Sequence, residues 1–149
     1  MPGQLSEQER EEFLGGVHVG VLSVARDGSA PPLASPLWYA YQPGGNLSFF
    51  TGTEGRRAHK AALVRRAGVV TLTVQQETYP YRYVSVGGTV VGDDAPPSEE
   101  QMLAICRRYL PEEEAQGYAR AELSRPDSQL VVFTVRPDRW VSADYSEER

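Results

Sequence analysis

The sequence predicts a mainly β fold of the α+β class: a small barrel of six or so short, largely antiparallel strands with a few helices at its ends. Three observations point there. Apolar residues alternate at period two in several short runs, turn pairs such as Asp27-Gly28 and Gly44-Gly45 separate those runs, and the helical patterns are few and peripheral. The 149 residues suit one domain, long enough to bury roughly 70% of the surface that the unfolded chain exposes. No repeat, low-complexity tract or linker divides the chain, so residues 1–149 read as a single domain.

The elements follow in order. SEQEREEF at 6 to 13 reads as an opening helix, with Ser6 as N-cap, Glu9 completing a capping box and Gly15-Gly16 as the stop. VHVGVLSVA at 17 to 25 is β-branched and reads as a strand. Asp27-Gly28 then turns the chain into a return strand, LASPLWYAY at 33 to 41. Leu33, Ser35, Leu37, Tyr39 and Tyr41 share one face of it, and Pro36, which has no N–H to donate, belongs at an edge or bulge. PGGN at 43 to 46 makes a second hairpin into LSFFT, which ends at Thr51-Gly52. A basic helix follows and closes at Gly68 in a left-handed cap. VVTLTVQQ at 69 to 76 and YVSVGGTVV at 83 to 91 form an antiparallel pair, with Gly87-Gly88 marking a bulge. Ser98 and Gln101 cap a helix whose Met102, Ile105, Cys106 and Tyr109 make a core-facing stripe. Pro111 opens a further helical turn, and QLVVFTV at 129 to 135 is the last strong strand, followed by RPDRWVSADYSEER.

Composition excludes some classes of function. Hydrophobic residues at 40% and charged residues at 23% are ordinary for a globular domain, and a net charge of −5 argues against wholesale coating of nucleic acid or an anionic membrane. The lone Cys106 has no intramolecular disulfide partner and reads as a small apolar helix residue. The acidic N-terminus lacks an apolar signal region, and no apolar run approaches the ~20 residues of a spanning helix. The expected location is the cytoplasm.

One stretch contradicts the acidic average. TGTEGRRAHKAALVRRAG, residues 51 to 68, holds Arg56, Arg57, Lys60, Arg65 and Arg66 against Glu54 alone. The chain carries 15 Lys+Arg and 20 Asp+Glu, so setting those residues aside leaves ten cations against nineteen acids. Arg65 and Arg66 fall in the last helical turn, where the helix dipole favours them. Arg56, Arg57, His59 and Lys60 crowd the first turns, where each unanswered cation costs about 0.3–1 kcal/mol. An anion there would meet several cations and free backbone N–H groups, and phosphate fits best, with the Thr51-Gly52-Thr53 turn adding hydroxyls and close backbone approach. The alternative is a solvated basic face paired with Glu54 and neighbouring acids. No Walker-type or dinucleotide glycine pattern is present.

Together, GVLSVARDG, SPLWYAY, the strand end FFTGT, the basic helix with Lys60, PYRYVSVGG and the terminal RPDRWVSADYS resemble the FMN-binding split-barrel superfamily, the fold of pyridoxamine 5′-phosphate oxidase and of the flavin/deazaflavin oxidoreductases. The likeness spans roughly residues 10 to 145 and is strongest with the branch that uses coenzyme F-420, a deazaflavin, or FMN. It implies a six-stranded antiparallel split β-barrel with a few peripheral helices, forming a homodimer whose cofactor lies in an intersubunit groove. By that resemblance Thr51, Gly52, Thr53 and Lys60 hold the cofactor phosphate with Arg56 or Arg57 assisting, and Ser35, Pro36, Leu37 and Trp38 lie along the ring. Tyr83 and Trp140 line the pocket from the partner subunit. Where the family commonly shows Ser-Arg-Lys, the residues here are Ala58, His59 and Lys60, so only the lysine matches. The C-terminal Arg/His motif of true pyridoxamine phosphate oxidases is missing, since RPDRWVSADYSEER has no histidine.

The implied reaction is hydride transfer from a reduced deazaflavin to a small unsaturated substrate such as a quinone, enone or tetrapyrrole, the protein supplying orientation, water exclusion and a proton source. An FMN-dependent oxidoreductase is the alternative. Tyr39, Tyr79, Tyr81, Tyr83 and ordered water are all candidate donors, and no residue declares itself as the acid. A non-catalytic ligand- or nucleic-acid-binding barrel is the remaining class, disfavoured because the strands carry almost no Lys or Arg. Neither a nucleic-acid nor a membrane partner is expected.

Overall fold

Residues 2–53, 55–125 and 129–148 are described in the computed structural model, excepting the side chains of residues 56, 57, 147 and 148. Eight strands and four helices occupy them: β1 (Pro2–Gly3), α1 (Glu7–Gly15), β2 (Gly20–Val24), β3 (Leu33–Leu37), β4 (Tyr39–Ala40), β5 (Leu47–Gly52), α2 (Arg56–Ala67), β6 (Val69–Gln76), β7 (Arg82–Asp94), α3 (Glu99–Cys106), α4 (Glu112–Ser124) and β8 (Leu130–Glu148). Every strand pairing is antiparallel, and the path across the sheet runs β3-β2-β6-β7-β8-β5-β4, with β1 added on β8.

The strand count exceeds the expected six for two reasons. A two-residue N-terminal strand pairs with the end of β8. The segment read as one strand over 33 to 41 breaks at Trp38, so that β3 pairs with β2 while β4 pairs with β5. The first and last strands of the path are therefore consecutive in sequence, and Trp38 joins them across the gap. The barrel is split there. Pro36 lies on β3, an edge strand, as a residue without a backbone donor should.

Other boundaries shift too. The expected strand over 17 to 25 begins only at Gly20, because the His18 ring stacks on Phe13 at 4.6 Å and its Nε2 bonds the Phe13 carbonyl at 2.9 Å. β7 runs three residues past its expected end and carries the Gly87-Gly88 register shift. β8 continues through RPDRWVSADYSEE as a nineteen-residue strand. Both capping boxes form, at Ser6/Glu9 and Ser98/Gln101, and Gly68 adopts the left-handed cap at φ 70°.

Period-two alternation places Leu22, Leu72 and Val86 in the barrel interior on one cross-strand row. α2 closes the barrel with Ala61, Leu63 and Val64. A second apolar cluster lies outside it, where α3 and α4 bring Met102, Leu103 and Ala119 onto Leu130 and Val132, with Phe50 and Tyr118 at its margin. No helix among the described residues is long and apolar enough to cross a membrane.

Candidate functional site

At the split, the end of β3, the end of β5, the second turn of α2 and the middle of α4 enclose a cleft of about 260 Å³, lined by Leu37, Trp38, Phe50, Thr51, Gly52, Lys60 and Tyr118. Five of these are sequence-predicted site residues, Leu37 at the end of β3 with Trp38 just beyond it, Thr51 and Gly52 at the end of β5 and Lys60 on α2. A larger groove of about 650 Å³ lies on the outer sheet face along β2, β6 and β7, floored by Gly87 and Gly88, and contains none of them. The smaller cleft is the candidate site, because it gathers cation, hydroxyl and glycine where the sheet is open.

Thr51 is the telling side chain. It is 5% exposed, faces Val131 across the β5–β8 ladder, and its hydroxyl bonds no other described residue. It is also part of the lining of the cleft. Gly52 follows, and α2 is preceded by Gly55, whose φ of 61° demands glycine and which gives the helix no side-chain cap. Of the first-turn N–H groups, that of Ala58 bonds the Gly55 carbonyl at 3.2 Å.

Within one chain, several predicted residues stand outside this cleft, among them Tyr83 and Trp140, which are expected to reach it from a partner subunit. Thr53 donates its hydroxyl to the Gln129 carbonyl at 2.8 Å and its N–H to the same oxygen at 2.6 Å. It ties β5 to the start of β8. Ser35 pairs with Leu22, on the interior row that ends at Trp140. Trp140 packs edge-on to Tyr41 at 6.2 Å beneath the Arg10 guanidinium, 4.7 Å from its ring centroid. Pro36 and Tyr83 stand on the outer sheet face, Tyr83 at 6.1 Å from Tyr81. The side chains of Arg56 and Arg57 lie outside the described residues, as does Glu54. Arg65 and Arg66 pair with Asp93 at 2.8 Å and Asp27 at 2.7 Å, surface contacts away from the cleft.

Of the candidate proton donors, Tyr39 is fully buried, bonds the Leu14 carbonyl and is raised far above the usual phenol range by burial, while Tyr79 is 83% exposed. None of the four lines the cleft. The phenol that does is Tyr118, which sequence reasoning missed along with Phe50. Ala115, Tyr118 and Ala119 follow helical i, i+3, i+4 spacing, which marks Tyr118 as facing the protein body. Among the described residues no cluster of His, Cys, Asp or Glu could hold a metal.

No family model matches the sequence, and no curated protein does. Solved structures match in fold. An F-420 reductase aligns at 24% identity with a TM-score of 0.59, covering 88% of this chain and 94% of its own. A conserved hypothetical protein from Mycobacterium tuberculosis aligns at 21% identity and 0.69, covering 95% of this chain and 86% of its own. A FAD-binding protein from Mesorhizobium loti aligns at 21% identity and 0.63, covering 97% and 96%. The shared fold is that of the pyridoxamine 5′-phosphate oxidase-like split barrels.

Proposed function

We propose that this chain is an oxidoreductase that binds coenzyme F-420 at the split of its barrel and uses it to reduce a small unsaturated substrate such as a quinone, enone or tetrapyrrole. The observation that carries the reading is a single cleft at the split whose lining brings Thr51, Gly52 and Lys60 together. That donor set suits a phosphoryl oxygen, which takes a hydroxyl, an ammonium and backbone N–H groups together. The F-420 reductase among the fold neighbours supports the choice of cofactor. When bound, the cofactor supplies the hydride chemistry itself.

The chain's own residues hold and shield. Lys60 and Thr51 grip the phosphoryl end, Leu37 and Trp38 bound the path toward the open edge of β3, and Tyr118 brings a phenol proton to the cleft wall. At about 260 Å³ the cleft is smaller than the roughly 300–1,000 Å³ of complete small-molecule sites, so a cofactor held by Lys60 and Thr51 would need further room, which the open edge of β3 offers. A second copy of the chain would cover it there. Support comes from the outer sheet face: the cross-strand row Pro36, Val21, Thr73, Ser85 and Val141 crosses five strands without a charge, and Val141 is 58% exposed. Tyr83 borders that face.

FMN in place of F-420 is the second reading, favoured by the FAD-binding neighbour. Fluorescence titration with both cofactors separates the two. F-420 is expected to bind more tightly, and equal or preferential FMN binding would move the assignment to the second reading. Lys60→Glu should weaken either cofactor by about tenfold or more. An unchanged dissociation constant removes Lys60 from the site. In sedimentation velocity the chain should run as a dimer and Val141→Glu as a monomer; a monomeric wild type would rule out the shared groove.

A further inference from the structure

The chain between α3 and α4 plugs into the split. Arg108 donates from Nη2 to the Gly16 carbonyl at 2.7 Å and from Nη1 to the Gly15 carbonyl at 3.2 Å. Its guanidinium lies 5.0 Å from the Tyr39 ring centroid. The next residue, Tyr109, does something more specific. Its hydroxyl accepts from the Tyr39 N–H at 3.2 Å and donates to the His18 carbonyl at 2.6 Å. Those backbone groups flank the point where β3 gives way to β4 and where β2 has not yet begun. One phenol therefore satisfies a donor and an acceptor that a continuous ladder would otherwise have paired.

The ring of Tyr109 lies parallel to that of Trp38, with centroids 4.8 Å apart and an interplanar angle of 6°. Trp38 is the crossover residue and a wall of the cleft. Its ring also meets Tyr118 at 6.2 Å. Fixed at its hydroxyl by two strand-end groups and at its backbone by the neighbouring arginine, Tyr109 has little freedom. A ring stacked on it inherits that constraint.

The geometry points to Tyr109 as a positioning residue: it wedges the split open and sets the plane of Trp38, so that the cleft presents a preformed aromatic wall to a planar ligand. This rests on the proposed cofactor reading for the ligand's identity, but the placement of Trp38 can be read without any ligand. The chain has two tryptophans, so Trp140→Phe leaves Trp38 as the sole indole reporter. In that background Tyr109→Ala should shift the emission of Trp38 to the red and at least double its acrylamide quenching constant. Tyr109→Phe keeps the stacking ring and should stay near the parent. In the natural background, Tyr109→Phe should weaken F-420 or FMN by about two- to threefold, and Tyr109→Ala by about ten- to thirtyfold.

Each outcome has a distinct meaning. Unchanged Trp38 quenching in folded Tyr109→Ala overturns the positioning role. Equal effects of the Phe and Ala variants on quenching or affinity also overturn it, since they reduce Tyr109 to a hydrogen-bonding staple. If Tyr109→Ala does not fold, the Phe variant and Trp38→Leu decide on the dissociation constant: the wedge predicts that both weaken binding, and two unchanged values refute it. Failure of the cofactor reading shows differently, as wild-type protein that binds neither cofactor while the Trp38 emission still responds to Tyr109→Ala.

Discussion

Replacing Thr51 by valine separates binding from folding at a single atom. The two side chains are nearly isosteric, and the exchange removes the hydroxyl of a residue that is 5% exposed and makes no side-chain bond to another described residue. A hydrogen bond to a charged phosphoryl oxygen contributes about 1.5–3 kcal/mol, so the cofactor dissociation constant should rise roughly 10- to 150-fold. Stability should move the other way. No hydrogen bond to a described residue is lost, and a methyl group in a buried place gains up to about 0.8 kcal/mol, which for a domain of this size raises Tm by up to roughly 3 °C. The assay is a cofactor titration beside a thermal melt of the ligand-free protein. A dissociation constant within twofold of wild type would show that the hydroxyl does not face the ligand. A Tm several degrees lower would show that it holds the barrel instead, and either result would refute the argument.

The remaining expectations concern the frame around the site. A Cβ at Gly88 would lie 2.5 Å from the Arg136 carbonyl oxygen and 2.5 Å from Val135 Cγ1, whereas at Gly87 the nearest atom is 3.8 Å away. Gly88→Ala should therefore cost about 1–3 kcal/mol in urea denaturation and Gly87→Ala much less; equal costs would show that the bulge relaxes freely. His18 is held below its ordinary pKa chiefly by burial, with Arg108 and Arg82 adding to the effect against the opposing bond to Phe13. The unfolded chain then binds the proton more tightly, so this contribution to stability is complete above about pH 6.5 and is lost as pH falls through the lowered value. Tm should decline from about pH 7 toward about pH 5 and decline less in His18→Gln, which keeps a donor for the Phe13 carbonyl. An identical slope in the two proteins would assign the decline to carboxylates.

Much of the fold was legible because its signals are local. β6 matches the alternating run Val69–Gln76 residue for residue, both capping boxes form where serine precedes a glutamate or glutamine at the third helical position, and the Gly87-Gly88 pair sits at a register shift. The length of β8 was hidden because RPDRWVSADYSEE is polar and contains a proline. Its strand character comes from pairing with β7, whose two register shifts absorb the irregularity. The break at Trp38 was hidden for a different reason. Leu37 and Tyr39 keep the inward parity of one uninterrupted strand, and only the change of partner from β2 to β5 marks the break.

That change of partner also explains which residues of the candidate cleft could be foreseen. Lys60, Thr51 and Gly52 carry their chemistry in their own identity and in their order along the chain, so they are readable before any contact is known. Tyr109 looked like the last member of a core stripe, yet α3 ends at Cys106 and Tyr109 is only half-buried beyond it. Its value lies in reaching the His18 carbonyl and the Tyr39 N–H, atoms 91 and 70 residues away in sequence. A chain that crosses from one edge of a sheet to the other must leave backbone groups unpaired at the crossing. In this protein a tyrosine takes up two of those groups, and beside them the open edge leaves room for the cleft where Thr51 and Lys60 converge. The split and the site are consequences of one backbone event, and for that reason the aromatic residues around it acquire meaning only once the strands are paired.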